Sequence, residues 1–325
     1  MTVGAAAPPI AVMVSVVMPC FNAGPFLAEA VASVLGQSYP HLELIVVDDG
    51  STDGSFEYLA PLAAAMPDRL QLHRQPHQGA FRARNSALAR ARGDLVAFLD
   101  ADDYWRSDFL ERMVAALRCA GADVAYCGWQ NVHEGAPATA PYVPPLYEAG
   151  DPVDAFLQSC PWPIHAVLTR RSVLESIGRF SERRSSAMDY DLWLRLLGCT
   201  QRFVRVPEVM AFYRWHGQAQ ISSVKWRQVL DAREARHAFI RDHAPLVAHL
   251  SPERLRDLTE GTVLREAYGA LWRRDAVSAR RLFRHLGWAG AFRPRDAGHV
   301  AAAMLPLPLY LLLLRCLDRG AQGHV

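Results

Sequence analysis

After a small apolar tail the chain alternates short β-branched runs with helix-period patterns and glycine-marked turns, the arrangement of parallel βαβ units. Val14 to Met18 reads as a first strand. From Ala23 to Gln37, Phe26, Leu27, Ala30, Val31, Val34 and Leu35 recur at helical spacing and predict an amphipathic helix. The unbroken run Leu44-Ile45-Val46-Val47 suits a second strand covered on both faces, and Leu95 to Leu99 is a third. Both of these runs end in acids, Asp48-Asp49 and Asp100-Ala101-Asp102-Asp103. Open α/β sheets bind ligands at the carboxyl ends of their strands, so these acids are the first candidates for chemistry. Prolines 137, 141, 144, 145, 152, 161 and 163 predict a long loop from Gly135 to Pro163. Val167–Leu174, Met188–Leu197 and Val204–Tyr213 then supply strand or helix pieces that complete the same domain. Beyond Ser223 the pattern turns helical. The expected organisation is a tail, 1–13, an α/β domain, 14–223, and a helical region, 224–325.

Composition narrows the classes without choosing among enzymes. A chain of 325 residues that is 51% hydrophobic and 21% charged buries a sizeable core, which excludes disorder, collagen and coiled coil as global descriptions. The net charge of +2 calls for no nucleic-acid partner. Its distribution is uneven, because residues 225–325 carry 17 Lys plus Arg against 10 Asp plus Glu. The six cysteines form no CxxC pair, which points to a reducing, cytoplasmic setting. No Lys or Arg precedes the apolar N-terminal stretch, so export is not expected.

Two acidic strand ends converging in one crevice suit a hard divalent cation bridging to phosphate oxygens. Asp100 and Asp102, two residues apart on a tight turn, can both reach such an ion. Oxygen ligation favours Mg²⁺ or Mn²⁺ over zinc, since no Cys or His pair stands nearby at a zinc spacing. A turn capped by aspartates is the structural alternative.

Four linked segments carry a family likeness: Val14-Ser15-Val16-Val17-Met18-Pro19-Cys20-Phe21-Asn22, Val46-Val47-Asp48-Asp49-Gly50-Ser51-Thr52-Asp53, Gly79-Ala80-Phe81-Arg82-Ala83-Arg84-Asn85 and Leu99-Asp100-Ala101-Asp102-Asp103. In order and spacing they resemble the family-2 glycosyltransferases, over about residues 14 to 223. The resemblance implies a GT-A fold, a Rossmann-like doubly wound mixed sheet, followed here by the helical C-terminal region. It also implies a nucleotide-diphosphate-sugar donor and inversion at the anomeric carbon. By the same resemblance Pro19 lines the nucleotide pocket, Asp49 hydrogen-bonds the base and Arg84 lies near the nucleotide and its phosphates. Asp100, Asp102 and Asp103 form the acidic motif, with Asp102 touching ribose or metal and Asp102 or Asp103 the direct ligand of Mn²⁺ or Mg²⁺.

Met188-Asp189-Tyr190-Asp191 resembles the family's Glu-Asp motif, which makes Asp189 the catalytic base and Asp191 its competitor; Met188 stands where the family has Glu. A base is needed because the attacking hydroxyl must lose its proton in a single displacement. Phe212-Tyr213-Arg214-Trp215-His216-Gly217 resembles the segment that closes over the diphosphate, with Arg214 and His216 on phosphate or metal. The Gln-x-x-Arg-Trp pattern of processive synthases is absent from the sequence, so transfer of one sugar to a glycan or lipid-linked acceptor hydroxyl is preferred. The donor expected by default is a UDP-sugar, in the building of cell-surface or secreted glycan. The rivals are a catalytically degenerate nucleotide-sugar-binding module and another nucleotide-dependent transferase. The second usually carries a Lys-containing phosphate loop, and the only lysine is Lys225.

In the helical region a wheel from Trp272 to Leu286 puts Trp272, Ala276, Ala279, Leu282, Phe283 and Leu286 on one face and five arginines opposite. The uncharged run Val300 to Leu314 contains Pro306 and Pro308 and falls short of the ~20 residues that span a bilayer. It suits a peripheral contact with the inner face of the cytoplasmic membrane, or equally a tail helix packed within the protein or in a dimer.

Overall fold

The computed structural model describes residues 12–133, 135, 137–182, 186–215 and 225–322. Eight strands, β1 (Val14–Cys20), β2 (Leu42–Asp48), β3 (Leu70–Arg74), β4 (Leu95–Phe98), β5 (Tyr104–Trp105), β6 (Val124–His133), β7 (Val167–Arg170) and β8 (Phe203–Trp215), form one sheet in the order β3-β2-β1-β4-β7-β6-β8-β5. Neighbours among β1 to β4 run parallel, whereas β7 runs antiparallel to both β4 and β6. The sheet is mixed, as the family resemblance implies.

Packing separates two units. The first takes residues 12–152, 161–182 and 195–215; the second takes 153–160, 186–194 and 225–322. Two short segments from within 14–223 thus pack with the helical region.

In the first unit every residue of β1 and β2 is buried. The helices α1 (Leu27–Leu35), α2 (Ser55–Ala65), α3 (Ala80–Leu88) and α4 (Phe109–Cys119) connect the strands. Leu27, Ala30, Val31 and Val34 are the buried face of α1, which matches the predicted stripe. Two polar residues inside the sheet, Ser15 and Glu43, satisfy each other: Ser15 Oγ donates to Glu43 at 2.6 Å, and Glu43 also accepts from Arg92 N, Arg92 Nε and Gln71 Nε2. Strand β3 was not foreseen. As an edge strand it is buried fully only at Leu70, so its run carries no continuous apolar signal. Gly128, at a bulge between β6 and β8, has to be glycine because a Cβ there would meet the Tyr142 carbonyl at 2.8 Å.

The segment expected as one loop from 135 to 163 contains α5 (Pro152–Gln158) and a short turn of helix at Tyr147–Ala149. Beyond it, α6 (Arg171–Ser176) follows β7, and α7 (Met188–Cys199) passes from the second unit into the first at residue 195.

The second unit is helical: α8 (Lys225–Asp242), the short α9 (Ala244–Val247) and α10 (Pro252–Arg256), then α11 (Thr262–Trp272), α12 (Ala276–Trp288), α13 (Ala297–Met304) and α14 (Leu307–Gln322). Its core joins Val263, Ala267 and Ala270 to Ala279, Leu282, Phe283, Leu286, Val300, Ala303 and Tyr310. The predicted wheel is right for α12 and wrong for Trp272, which closes the preceding helix and is 88% exposed. The break comes at Arg274, whose φ of 59° ends the helical path, and Asp275, whose side chain caps α12 by accepting from Ser278 N.

Candidate active site

The carboxyl ends of β1, β2 and β4 carry the polar residues that the apolar strands deliver there. The end of β1 is tied to the turn after β2. Asn22, at a φ of 48°, accepts from Thr52 N at 2.8 Å and donates its own N–H to Ser51 Oγ, while Gly24 N donates to Asp53. Pro19 is buried in β1 opposite Val47 of β2.

Asp48 and Asp49 are both buried, and both are surrounded by donors. Asp48 accepts from Ser51 N and pairs with Arg74 Nε at 3.1 Å. Asp49 accepts from Gln75 Nε2 at 2.7 Å, Gln78 N at 2.9 Å and Gly79 N at 2.7 Å, and His77 Nδ1 lies 2.9 Å from it. The carboxylate that the resemblance directs to the base thus holds the Gln75–Gly79 segment against the end of β2. His77 in turn stacks on Phe21, with ring centroids 4.0 Å apart. Gly79 takes a φ of 94°, open to glycine, and starts α3.

Helix α3 turns Ala83, Arg84, Ala87 and Leu88 inward. A buried guanidinium is costly unless paired, and Arg84 Nη2 meets Asp100 Oδ1 at 2.5 Å with its carbon 5.5 Å from the Phe180 ring centroid. That pair draws α3 to the acidic turn after β4. The turn itself closes by Asp103 N donating to the Asp100 carbonyl, and then enters β5, where Tyr104 and Trp105 pair with Phe212 and Ala211 of β8. Consequently Asp100, Asp102 and Asp103 each present a carboxylate oxygen, all within 4.8 Å of one another; among the described residues this is the group that could hold a metal ion.

Asp103 is fully buried. One of its oxygens accepts from Arg214 N at 2.8 Å; the other lies 3.2 Å from His165 Nδ1, near enough for an ion pair but not aligned as a hydrogen bond. Burial, followed by the charges of Asp102 and Asp100, pushes its carboxyl well above the usual carboxylate range, and the Arg214 N–H opposes this only in part. Burial also takes the His165 imidazole down to about 4. Three crowded carboxyl groups, one of them with an unsatisfied buried oxygen, fit a divalent cation, because the cation cancels the repulsion that otherwise favours protonation.

Arg214 reaches the cluster by its backbone. Its guanidinium pairs with Glu29 at 2.6 Å and lies over the rings of Phe26 and Tyr104. His216 lies outside the described residues. Asp189 and Asp191 stand in the first turn of α7, in the second unit; Asp191 is buried and Asp189 half-buried.

The first unit thus gathers Pro19, Asp49, Arg84, Asp100, Asp102, Asp103 and Arg214. From the sequence, His165 falls only within a segment, Trp162 to Phe180, that resembles the family's stretch before the base, and Gln75 and His77 have no role. His165 is a lone histidine in an apolar stretch; its significance comes from Asp103, Tyr213 stacked on its ring, and Trp105 Nε1 donating to its carbonyl.

Comparison with known proteins bears on the family and the fold. The model of glycosyl transferase family 2 matches residues 15–177. A Bacillus subtilis (strain 168) protein assigned as the teichuronic acid biosynthesis glycosyltransferase TuaG is 29% identical over 66% of this chain and 83% of its own. Three other curated relatives are spanned over only about two fifths of their length. Among solved structures, S. aureus TarS in complex with UDP-GlcNAc superposes with a TM-score of 0.67 at 18% identity, over 95% of this chain and 92% of that one. The mannosyltransferase PcManGT from Pyrobaculum calidifontis, in complex with GDP-Man and Mn²⁺, gives 0.56 at 21% identity, over 95% and 88%. At such identities the structural likeness is one of fold, and that fold is the GT-A type. The chain belongs to glycosyl transferase family 2.

Proposed function

We propose that this glycosyltransferase moves one sugar, with inversion, from a nucleotide-diphosphate-sugar to an acceptor hydroxyl on a glycan or lipid-linked glycan. The donor proposed is a UDP-sugar, and the setting is cell-surface or secreted glycan synthesis on the cytoplasmic side. The observation that carries the reading is the convergence of Asp100, Asp102 and Asp103 within 4.8 Å, with the buried Arg84 paired to one of them. Support for the donor class comes from the GT-A neighbours, one bound to UDP-GlcNAc and the other to GDP-Man and Mn²⁺.

In this reading Pro19 and Asp49, the latter with the loop it holds, border the base. Arg84, Arg214 and His216 serve the phosphates. Asp102 and Asp103, with His216, hold Mn²⁺ or Mg²⁺, and Asp100 sets the position of Arg84. A bound cation supplies charge neutralisation at the leaving diphosphate, so no second carboxylic acid is required to protonate the leaving group. Asp189 accepts the proton of the attacking hydroxyl. Asp189 is half-buried, with Oδ1 shielded from solvent, whereas Asp191 is buried.

Thermal shift of the full chain against a panel of nucleotide sugars, with and without Mn²⁺, tests the donor and the ion together. Product stereochemistry by NMR tests inversion. Asp189→Asn is expected to cut turnover about 10²–10⁴-fold while donor binding persists. Stabilisation by a donor with no turnover of the unaltered chain would instead support a nucleotide-sugar-binding module, for which the Met188 replacement of the usual Glu is the motive.

A further inference from the structure

The end of the second unit has an apolar surface that its own core does not use. From Ala297 to Leu314 the sequence contains no Lys, Arg, Asp or Glu. Helices α13 and α14 turn Val300, Ala303 and Tyr310 into the core, and Gly287 of α12 admits Val300 and Met304 against its bare Cα. The outward positions are Met304, Leu305, Leu309, Leu312 and Leu313, with Leu309 51% and Leu312 57% exposed. An ordinary surface helix shows charges on that side. Here leucines recur at helical spacing along α14 and Leu305 continues them just before it, which is a stripe rather than scattered exposure.

The surroundings of the stripe are basic. The Arg280 guanidinium donates through Nε to the Leu305 carbonyl at 2.8 Å, so α12 brings Arg280 to the edge of the leucines, while Arg281 lies over the Trp226 ring, 5.2 Å from its centroid. Arg280, Arg281 and Arg284 stand near enough that the charges of the last two, after loss of water, press the Arg280 pKa downward. From Trp272 to the C-terminus there are nine arginines and three aspartates. Two of those aspartates are occupied locally, Asp275 in capping α12 and Asp296 in accepting from Tyr268 Oη at 2.8 Å. Two indoles are also displayed, Trp272 and Trp288, the latter 72% exposed with Arg284 stacked 4.7 Å from its ring centroid. Among the described residues no helix is long and apolar enough to cross a membrane.

We infer that this face, Leu305, Leu309, Leu312 and Leu313 beside Arg280, with Arg281 and Arg284 adjoining Arg280 on α12, docks on the surface of an anionic phospholipid bilayer, lying in the interface without spanning it. An apolar stripe wants a partner that removes it from water, and the arginines 280, 281 and 284, which make no ion pair among the described residues, want that partner negative. An anionic lipid surface meets both needs, and exposed tryptophans favour the headgroup level. The inference is independent of which sugar is transferred.

The test is cosedimentation of the full chain with vesicles of phosphatidylcholine alone or with about 30 mol % phosphatidylglycerol, at physiological ionic strength. The expected result is binding to the anionic vesicles. Leu309→Glu/Leu312→Glu should weaken it at least about tenfold, with an unchanged thermal melt because both sites face outward. Arg280→Gln/Arg281→Gln should weaken it by roughly fivefold for each charge removed, and only on anionic vesicles. Failure to bind either vesicle would overturn the inference, as would binding that ignores both variants. Light scattering provides a further arm: a dimer that the glutamates dissolve, in a chain that ignores vesicles, would assign the face to a second copy and sink the lipid reading.

Discussion

The carboxyl ends of β2 and β4 look alike in sequence and are put to different uses. Each is a buried apolar strand ending in adjacent acids, Asp48-Asp49 in one and Asp100 to Asp103 in the other. After β2 the acids are met by donors from their own neighbourhood: Ser51, Arg74, Gln75, His77, Gln78 and Gly79. After β4 the acids are turned toward one another, and Asp103 keeps an oxygen without a hydrogen bond. A satisfied carboxylate braces a loop; crowded carboxylates store repulsion that a cation can release. The lesson is that the number of donors folded onto an acidic cluster, and not its acidity, separates a brace from an ion site.

Exchanging the two ends by mutation should break the likeness. Asp102→Ala removes a ligand from the crowded end, so turnover should fall about 10²–10³-fold and stabilisation by a nucleotide sugar should lose its dependence on Mn²⁺. If the variant keeps its Mn²⁺ response, the two ends do not differ as argued. Asp49→Ala acts on the braced end and strands three hydrogen-bond donors. Urea denaturation should report a loss of about 2–4 kcal/mol, with Mn²⁺ affinity of the folded fraction unaltered.

Two smaller effects sharpen the contrast. Removing the imidazole beside Asp103 by His165→Leu should weaken Mn²⁺ binding about tenfold, by loosening how Asp103 is held. Electron paramagnetic resonance of free Mn²⁺ reads this without recourse to activity, and His165→Asn should recover part of the loss. The smallest expected effect is a pH slope. Because the folded protein raises Asp103 above its ordinary value of 3.8, the protonated form is favoured by folding. That contribution is complete below the ordinary value and is lost as pH rises through the raised one. Metal-free stability should therefore fall across this interval, and saturating Mn²⁺ should flatten the fall. A metal-free slope of the opposite sign would mean that Asp103 is not the crowded acid.

Much of the fold was legible because burial on both faces leaves a local mark. β1, β2 and β4 must be largely apolar, with Ser15 and Glu43 admitted as a hydrogen-bonded pair, and the stripe of α1 must repeat at helical spacing, whatever the rest of the chain does. Strand β3 left no such mark, since an edge strand shares its surface with water. The misplaced Trp272 has a similar cause. A wheel continues through any residue, whereas the chain stops at the left-handed Arg274 and restarts on the Asp275 cap.

The site divides along the same line. Sequence alone determined that acids stand at the ends of buried strands, that Arg84 belongs to a motif between them, and that the motifs resemble those of one family, because each of these is a property of neighbouring residues. Only the tertiary structure decided that Asp49 is braced and Asp103 is not, and that His165 stands at the acidic turn. Those outcomes depend on groups remote in the chain, the Gln75–Gly79 segment for Asp49 and Arg214 of β8 with His165 for Asp103, and a buried charge is satisfied or crowded by what folds onto it rather than by what adjoins it in the chain.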